Sequence, residues 1–159
     1  MIPRAVFGDA SAKVSVLTLY TIGFSGTSAE AFFGTLRGAG IARVIDTRIH
    51  RHGQLSGFAK APDLPYFLEH LAACAYVPMP SLAPTPELLH LYRTKLLGWP
   101  EYADAYLALL RDRKPEREID IATLSQACLL CSEHTPETCH RRLAAEYFRD
   151  VFDGQIEIV

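Results

Sequence analysis

Apolar and polar residues alternate along this chain in a pattern that predicts strands and helices in turn. Residues 14–23, VSVLTLYTIG, are mainly β-branched and apolar and end at a glycine, which is typical of a buried strand. A helical stripe follows, with Ser28 as its N-cap and its end at Gly38 or Gly40. Residues 41–48, IARVIDTR, form a second apolar segment. A strand, a helix and a strand within about 35 residues predict a right-handed βαβ unit.

The rest of the chain continues this alternation. Further helices are predicted over residues 63–75, 86–98, 99–113, 118–125 and 135–152, and further strands over residues 75–79, 126–131 and 154–159. The resulting order, β-α-β-α-β-α-α-α-β-α-β, is typical of an α/β protein. We therefore predict one domain over residues 1–159, with a mostly parallel sheet of about five strands and helices on both faces.

Composition and charge narrow the functional classes. The 159 residues are 49% hydrophobic and 21% charged, and the net charge of −2 gives no general attraction to nucleic acid or to an acidic membrane. No apolar run approaches a membrane span, and the first twenty residues lack the apolar core of a signal peptide. We therefore expect a cytoplasmic protein without a membrane partner, whose four cysteines are thiols, metal ligands or core residues.

The polar residues with reactive chemistry follow the predicted strands. They lie in the segments TIGFSG, DTRIHRH, VPMP and CSEHTPETCHR. In an open parallel sheet the carboxyl ends of the strands meet at one edge, and ligands bind there. These segments are therefore expected to form one site.

The segment CLLCSEHTPETCHRR contains three of the four cysteines. Cys128, Cys131, Cys139 and His140 are residue types that bind zinc. Residues three apart in a strand point to opposite faces, however, so Cys128 and Cys131 are not expected to share one ion. We predict that Cys128, like Cys74, is a core residue.

Cys131 and Cys139 have different expected surroundings. Cys131 ends the predicted strand, and the pair Thr135 and Pro136 has the residue types of a helix N-cap and first position. Cys139 and His140 would then lie near the positive end of the helix dipole, which lowers the pKa of a thiol. The alternative is that Cys139 only packs in the core, and the sequence leaves both interpretations open.

Basic and hydroxyl side chains at the same edge favour an anionic ligand. Arg141 is predicted to turn toward the sheet, where a guanidinium suits a phosphate or a carboxylate, and Arg48 and His50 follow the second strand. Thr21 and Ser25 would add hydroxyl groups. Gly23 would let backbone N–H groups approach the anion.

Two acidic residues have several alternative roles. Asp46 is a candidate general base, metal ligand or ion-pair partner of Arg48. Glu133 is a candidate acid or base, and the alternative is a structural salt bridge to Arg48 or Arg141.

The segments TIGFSGTSAEAFFGTLRGAGIARVIDTR, SGFAK, GWPEYADAYLALL and LLCSEHTPETCHR together resemble the family catalogued as domain of unknown function 488, over roughly residues 17–150. The resemblance implies a Rossmann-like three-layer domain found in bacteria and archaea, and no established reaction. Phe24 stands where many members have histidine or tyrosine. The positions that match the family pattern are Thr21, Gly23, Asp46, Arg48, Phe58, Cys131, Glu133, Pro136, Cys139, His140 and Arg141.

Three functional classes follow. The favoured hypothesis is an enzyme for a phosphate-bearing substrate, a nucleotide or a nucleic acid end, with Arg48 and Arg141 holding the anion and a cysteine as nucleophile or positioning group. The second is a metal protein that uses Cys131, Cys139 and His140, with His50 or Asp46 as further candidate ligands and no cofactor assigned beyond that. The third is a non-catalytic module that binds an anion.

Overall fold

The computed structural model describes residues 15–53 and 56–159, and a sheet of five strands forms its centre. The strands are β1 (Leu17–Gly23), β2 (Arg43–Asp46), β3 (Ala75–Pro78), β4 (Ala127–Cys131) and β5 (Ile156–Ile158). Their order in the sheet is β3-β2-β4-β1-β5, and all neighbours are parallel. The predicted α/β architecture with a parallel sheet is confirmed. Residues 1–14, which include the start of the predicted first strand, lie outside the described residues.

Six α-helices connect and cover these strands in the described part of the chain. They are α1 (Ala29–Gly38), α2 (Leu64–Phe67), α3 (Pro86–Arg93), α4 (Trp99–Arg113), α5 (Ile121–Leu124) and α6 (His140–Val151), and a π-helical turn, Leu68–Ala72, continues α2. Ser28 caps α1 as predicted, since its hydroxyl accepts a hydrogen bond from the backbone N–H of Ala31. Within the described ranges, no helix combines the length and apolar character that crossing a bilayer needs.

Two helices differ from their predicted bounds by about five residues at one end, more than the others do. α3 ends at Arg93 rather than near residue 98, because Thr94 donates its hydroxyl to the carbonyl of His90 and Lys95 has a left-handed backbone, with φ of 59°. α6 begins at His140 rather than at Thr135. Residues 132–139 form bends and turns instead.

Side chains of the central strand divide between two cores, one on each face of the sheet. Ala127 and Leu129 belong to the core under α4 and α6, whereas Cys128 and Leu130 belong to the core under α1 and α2. This is the two-residue period of a strand buried on both faces. The prediction that Cys128 is a core residue is confirmed. By the same alternation Cys131 lies on the face of α4 and α6.

The register of the central strands brings three strand ends together. Gly23 of β1 pairs with Cys131 of β4, and Asp46 of β2 pairs with Leu130. The backbone N–H of Thr47 extends this pairing by donating to the carbonyl of Leu130 at 3.1 Å. The carboxyl edge of the sheet therefore gathers residues from three distant parts of the sequence.

Candidate functional site

Cys131, Cys139 and His140 form a compact buried cluster at this edge. One donor atom from each residue lies within 4.8 Å of the other two. Cys131 ends β4, Cys139 is the N-cap residue of α6 and His140 is the first residue of that helix. The loop between Cys131 and Cys139 folds back toward the end of β4, and this brings the two thiols close together.

His140 is held in one orientation by Thr47. The Nε2 atom of His140 lies 3.0 Å from the carbonyl oxygen of Thr47 and 3.0 Å from its Oγ1 atom. The Thr47 hydroxyl donates its own hydrogen to the carbonyl of Leu130 at 2.8 Å, so Nε2 is the donor in both contacts. In the neutral ring Nδ1 then has the lone pair, and it faces Cys131 Sγ at 3.8 Å.

The three side chains change one another's ionisation. A hydrogen bond from Cys139, together with the charge of His140, lowers the pKa of the Cys131 thiol well below its usual range, although burial opposes this. The same hydrogen bond, together with burial, raises the pKa of Cys139. Burial lowers the pKa of His140, but the charge and hydrogen bond of Cys131 together with the hydrogen bond to the Thr47 backbone leave that pKa raised. Of the two alternatives left open for Cys139, a lowered pKa is not found, because the hydrogen bond to Cys131 and burial both raise the pKa of this thiol.

Arg141 of α6 holds the loop of residues 132–139 in place through hydrogen bonds. Its buried guanidinium donates to the carbonyl oxygens of Glu133 and His134, and Nη1 lies 3.9 Å from Cys139 Sγ. These bonds pull residues 133 and 134 back over β1, which explains why Thr135 does not begin the helix. The prediction that Arg141 turns toward the sheet is confirmed.

Gly23 makes this loop position available. An ideal Cβ atom at Gly23 would lie 1.5 Å from the carbonyl oxygen of Glu133 and 2.7 Å from Nη1 of Arg141. Any side chain would therefore displace the loop. The glycine, predicted as an approach point for an anion, instead accommodates the protein's own carbonyl group.

Asp46 and Arg48 form a buried ion pair beside the cluster. Arg48 donates Nε to Oδ1 at 2.8 Å and Nη2 to Oδ2 at 2.7 Å. Arg48 also donates to the carbonyl of Ala59, its guanidinium lies 5.2 Å from the ring centre of Phe24, and the hydroxyl of Tyr76 donates to Asp46. Of the roles considered for Asp46, the structure shows the ion-pair partner.

Glu133 differs from Asp46 in having an exposed side chain. Arg141 binds its backbone carbonyl rather than its carboxylate, and the ion pairs found across residues 15–53 and 56–159 do not include it. The predicted alternative of a salt bridge from Glu133 to Arg48 or Arg141 is therefore absent from the described structure.

A cleft of about 70 Å³ opens beside the cluster. Cys131 and His140 lie on its wall, whereas Cys139 does not. The other lining residues are Arg48, Ile49, His50, Pro84, Leu89, Arg93, Ser132 and Glu133. Cys131 is only 2% exposed and His140 only 8%, so the cleft is narrow where it reaches them.

The remaining predicted residues lie away from this cleft. Thr21 is inside β1, where it pairs with Leu129. Ser25 is exposed, and its carbonyl contacts His134 Nδ1 at 3.1 Å. Phe58 packs against the rings of Phe24, Phe32 and Phe33.

Two residues at the site were not singled out from the sequence. Thr47 lies between Asp46 and Arg48, and a hydroxyl group at a strand end is a signal that could have identified it. Arg93 ends α3 and reaches the cleft from another part of the chain, which no local pattern indicates.

Comparison with known proteins identifies a family. The family described as Domain of unknown function DUF488 matches residues 28–148, which is most of the chain. The chain belongs to this family, as its resemblance predicted. No curated protein and no solved structure matches it.

Proposed function

We propose that this DUF488 family member is a metalloenzyme in which Cys131, Cys139 and His140 bind one zinc ion. The observation that supports this most strongly is the convergence of their three donor atoms within 4.8 Å. Thiolate and imidazole groups are preferred ligands of zinc, and a set of two cysteines and one histidine occurs at catalytic zinc sites.

One pair of donor atoms in the cluster has about the separation that a tetrahedral ion needs, and the other pairs lie within 4.8 Å. Bonds of about 2.3 Å to sulfur and about 2.0 Å to nitrogen place neighbouring ligand atoms roughly 3.5–3.8 Å apart. The distance from Cys131 Sγ to His140 Nδ1 is 3.8 Å. In addition, Nε2 of His140 donates to a backbone carbonyl, which is the usual support of a metal-binding histidine because it directs the other nitrogen toward the ion.

The neighbouring cleft favours a catalytic role over a structural one. Structural zinc sites have four protein ligands, whereas catalytic sites have three and leave one position for water or substrate. Cys128 is on the opposite face of the sheet, and neither Asp46 nor His50 belongs to the donor cluster. When bound, the ion would supply Lewis acidity at the cleft. Glu133, an exposed residue that lines the same cleft, would be the group that moves a proton between water and the substrate.

The metal centre is proposed in place of the anion-binding role that the sequence predicted for Arg48 and Arg141. Two nitrogens of Arg48 bind Asp46, and its third binds the carbonyl of Ala59. Both terminal nitrogens of Arg141 bind carbonyl oxygens of the loop. Every nitrogen of Arg48 therefore has a partner, and Arg141 has only its buried Nε without one, so neither side chain presents to the cleft the paired donors that bidentate phosphate binding needs.

A second candidate function uses the same residues without a metal. Cys131 lies on the cleft, His140 is beside it, and Thr47 orients the imidazole through Nε2. A nucleophile, a base and a group that orients the base are the parts of covalent catalysis. Cys131 would then be the nucleophile, in agreement with the hypothesis first favoured from the sequence.

Metal analysis distinguishes these functions. We expect plasma mass spectrometry to find about one equivalent of zinc in protein purified without a metal-affinity tag. The Cys139→Ser variant should lose the zinc, because it loses one of three ligands. The Cys128→Ser variant is the matched control, since it alters a buried cysteine three residues from Cys131 but outside the cluster. Protein without metal would overturn the proposal and leave the cysteine nucleophile.

A further inference from the structure

Some of the residues that line the cleft beside the cluster also line a second, wider cleft. This outer cleft has a volume of about 410 Å³ and is formed mainly by the segment that follows β2. It shares Ile49, His50 and Arg93 with the inner cleft. The two clefts therefore share part of their walls, and a ligand in the outer cleft would contact residues that also line the cleft of Cys131 and His140.

The outer cleft is lined by basic side chains. Its wall contains Arg51, Arg93, His50 and His52, and none of its described lining residues is aspartate or glutamate. The chain as a whole has a net charge of −2, so this cleft has the opposite sign to the molecule. A cleft lined by one sign of charge attracts ligands of the other sign.

Arg93 is the side chain best placed to bind such a ligand. It is exposed at the end of α3, and no ion pair found in the described part of the chain involves it. It also lines both clefts. Arg48, by contrast, is buried and bound to Asp46. The guanidinium that can meet an incoming anion is therefore that of Arg93.

We propose that the outer cleft binds the phosphate group of a small phosphate ester, with Arg93 as the main contact. Arginine suits phosphate because its planar donors match two phosphate oxygens. The inner cleft, at about 70 Å³, is much smaller than the outer one, and it would receive only the reacting group. The proposal that phosphate binds depends only on the outer cleft. The proposal that this binding positions a substrate for reaction rests on the proposed metal centre as well.

Calorimetry with inorganic phosphate tests the binding, at an ionic strength held constant with sodium chloride. We expect saturable heat with the natural protein and about tenfold weaker affinity with Arg93→Gln. Arg37→Gln is the matched control, because Arg37 is an exposed arginine on α1, outside both clefts, and its loss should leave the affinity unchanged. Absence of saturable heat, or equal affinity in the Arg93 variant, would overturn the proposal.

Zinc content measured on the same preparations separates this proposal from the previous one. Phosphate binding that depends on Arg93 in metal-free protein would support the anion site and overturn the metal centre. Zinc-loaded protein that fails to bind phosphate would overturn the anion site and support the metal centre.

Discussion

His140 Nε2 lies 3.0 Å from the carbonyl oxygen of Thr47, and this contact decides which nitrogen faces the cysteines. The Thr47 hydroxyl reinforces the choice, because it gives its hydrogen to Leu130 and offers His140 only an acceptor. A backbone carbonyl only accepts hydrogen bonds, so Nε2 must have the hydrogen. In the neutral ring the lone pair is then on Nδ1, which faces Cys131. The site therefore has a fixed donor direction before any ligand arrives.

Loss of the Thr47 hydroxyl should weaken metal binding. We expect Thr47→Val to lower zinc affinity about tenfold, since groups that orient a metal ligand typically contribute 10–100-fold. A titration in competition with a chromophoric chelator measures the affinity. Thr47→Ser retains the hydroxyl and should bind as tightly as the natural protein. Equal affinity in all three proteins would show that the backbone carbonyl alone orients His140.

Replacement of Gly23 should destabilise the fold. We expect Gly23→Ala to cost about 3 kcal/mol in free energy of unfolding, because the loop carbonyl of Glu133 must move away from the new methyl group. Urea denaturation measures the difference. Gly34→Ala is the control, since Gly34 lies inside α1 with open space around it, and should stabilise by about 0.5–1 kcal/mol. A loss of the same size in both variants would contradict the close approach seen at Gly23.

Separation of the buried ion pair should also be costly. We expect Asp46→Asn to lose about 3 kcal/mol of stability, because Arg48 would remain buried without a countercharge. Tyr76→Phe removes one hydrogen bond to the same carboxylate and should lose about 1 kcal/mol. Denaturant unfolding of both variants gives the order of the two effects. A larger loss of stability in Tyr76→Phe than in Asp46→Asn would contradict this prediction. It would mean that water hydrates the Arg48 guanidinium once the carboxylate of Asp46 is removed.

Oxidation should join the two clustered cysteines in metal-free protein. Cys131 and Cys139 have sulfur atoms within 4.8 Å, so we expect hydrogen peroxide to convert their two thiols into a disulfide and to be reduced to two water molecules. Mass spectrometry of the digested protein should find the linked peptides, lighter by two hydrogen atoms. Bound zinc should slow the reaction. A disulfide that included Cys74 or Cys128 would contradict the observed arrangement of the thiols.

Much of the fold could be predicted because the apolar segments match the strands. The segment before Cys131 is an uninterrupted apolar run and the one before Asp46 is interrupted only by Arg43, as expected for strands buried largely on both faces. Such strands are parallel, and their carboxyl ends meet. The expectation that Cys131, Glu133, Cys139 and His140 gather near His50 followed from this topology alone.

The start of α6 could not be predicted, because a tertiary contact overrides the local signal. Thr135 and Pro136 have the residue types of a helix start, but Arg141 binds the carbonyl groups just before them and holds the segment in turns. The partners of Arg48 and the position of Arg93 likewise depend on distances that a sequence pattern does not contain.

The place of β4 in the sheet has a consequence for the order of events during synthesis. β4 lies between β1 and β2, although both are made before it. Until residues 127–131 leave the ribosome, the two earlier strands have no common neighbour, and their facing edges are unpaired. The middle of the sheet is therefore completed only when β4 enters between the two earlier strands. That insertion brings Cys131 to the carboxyl edge, and the thiol cluster forms once Cys139 and His140 have followed.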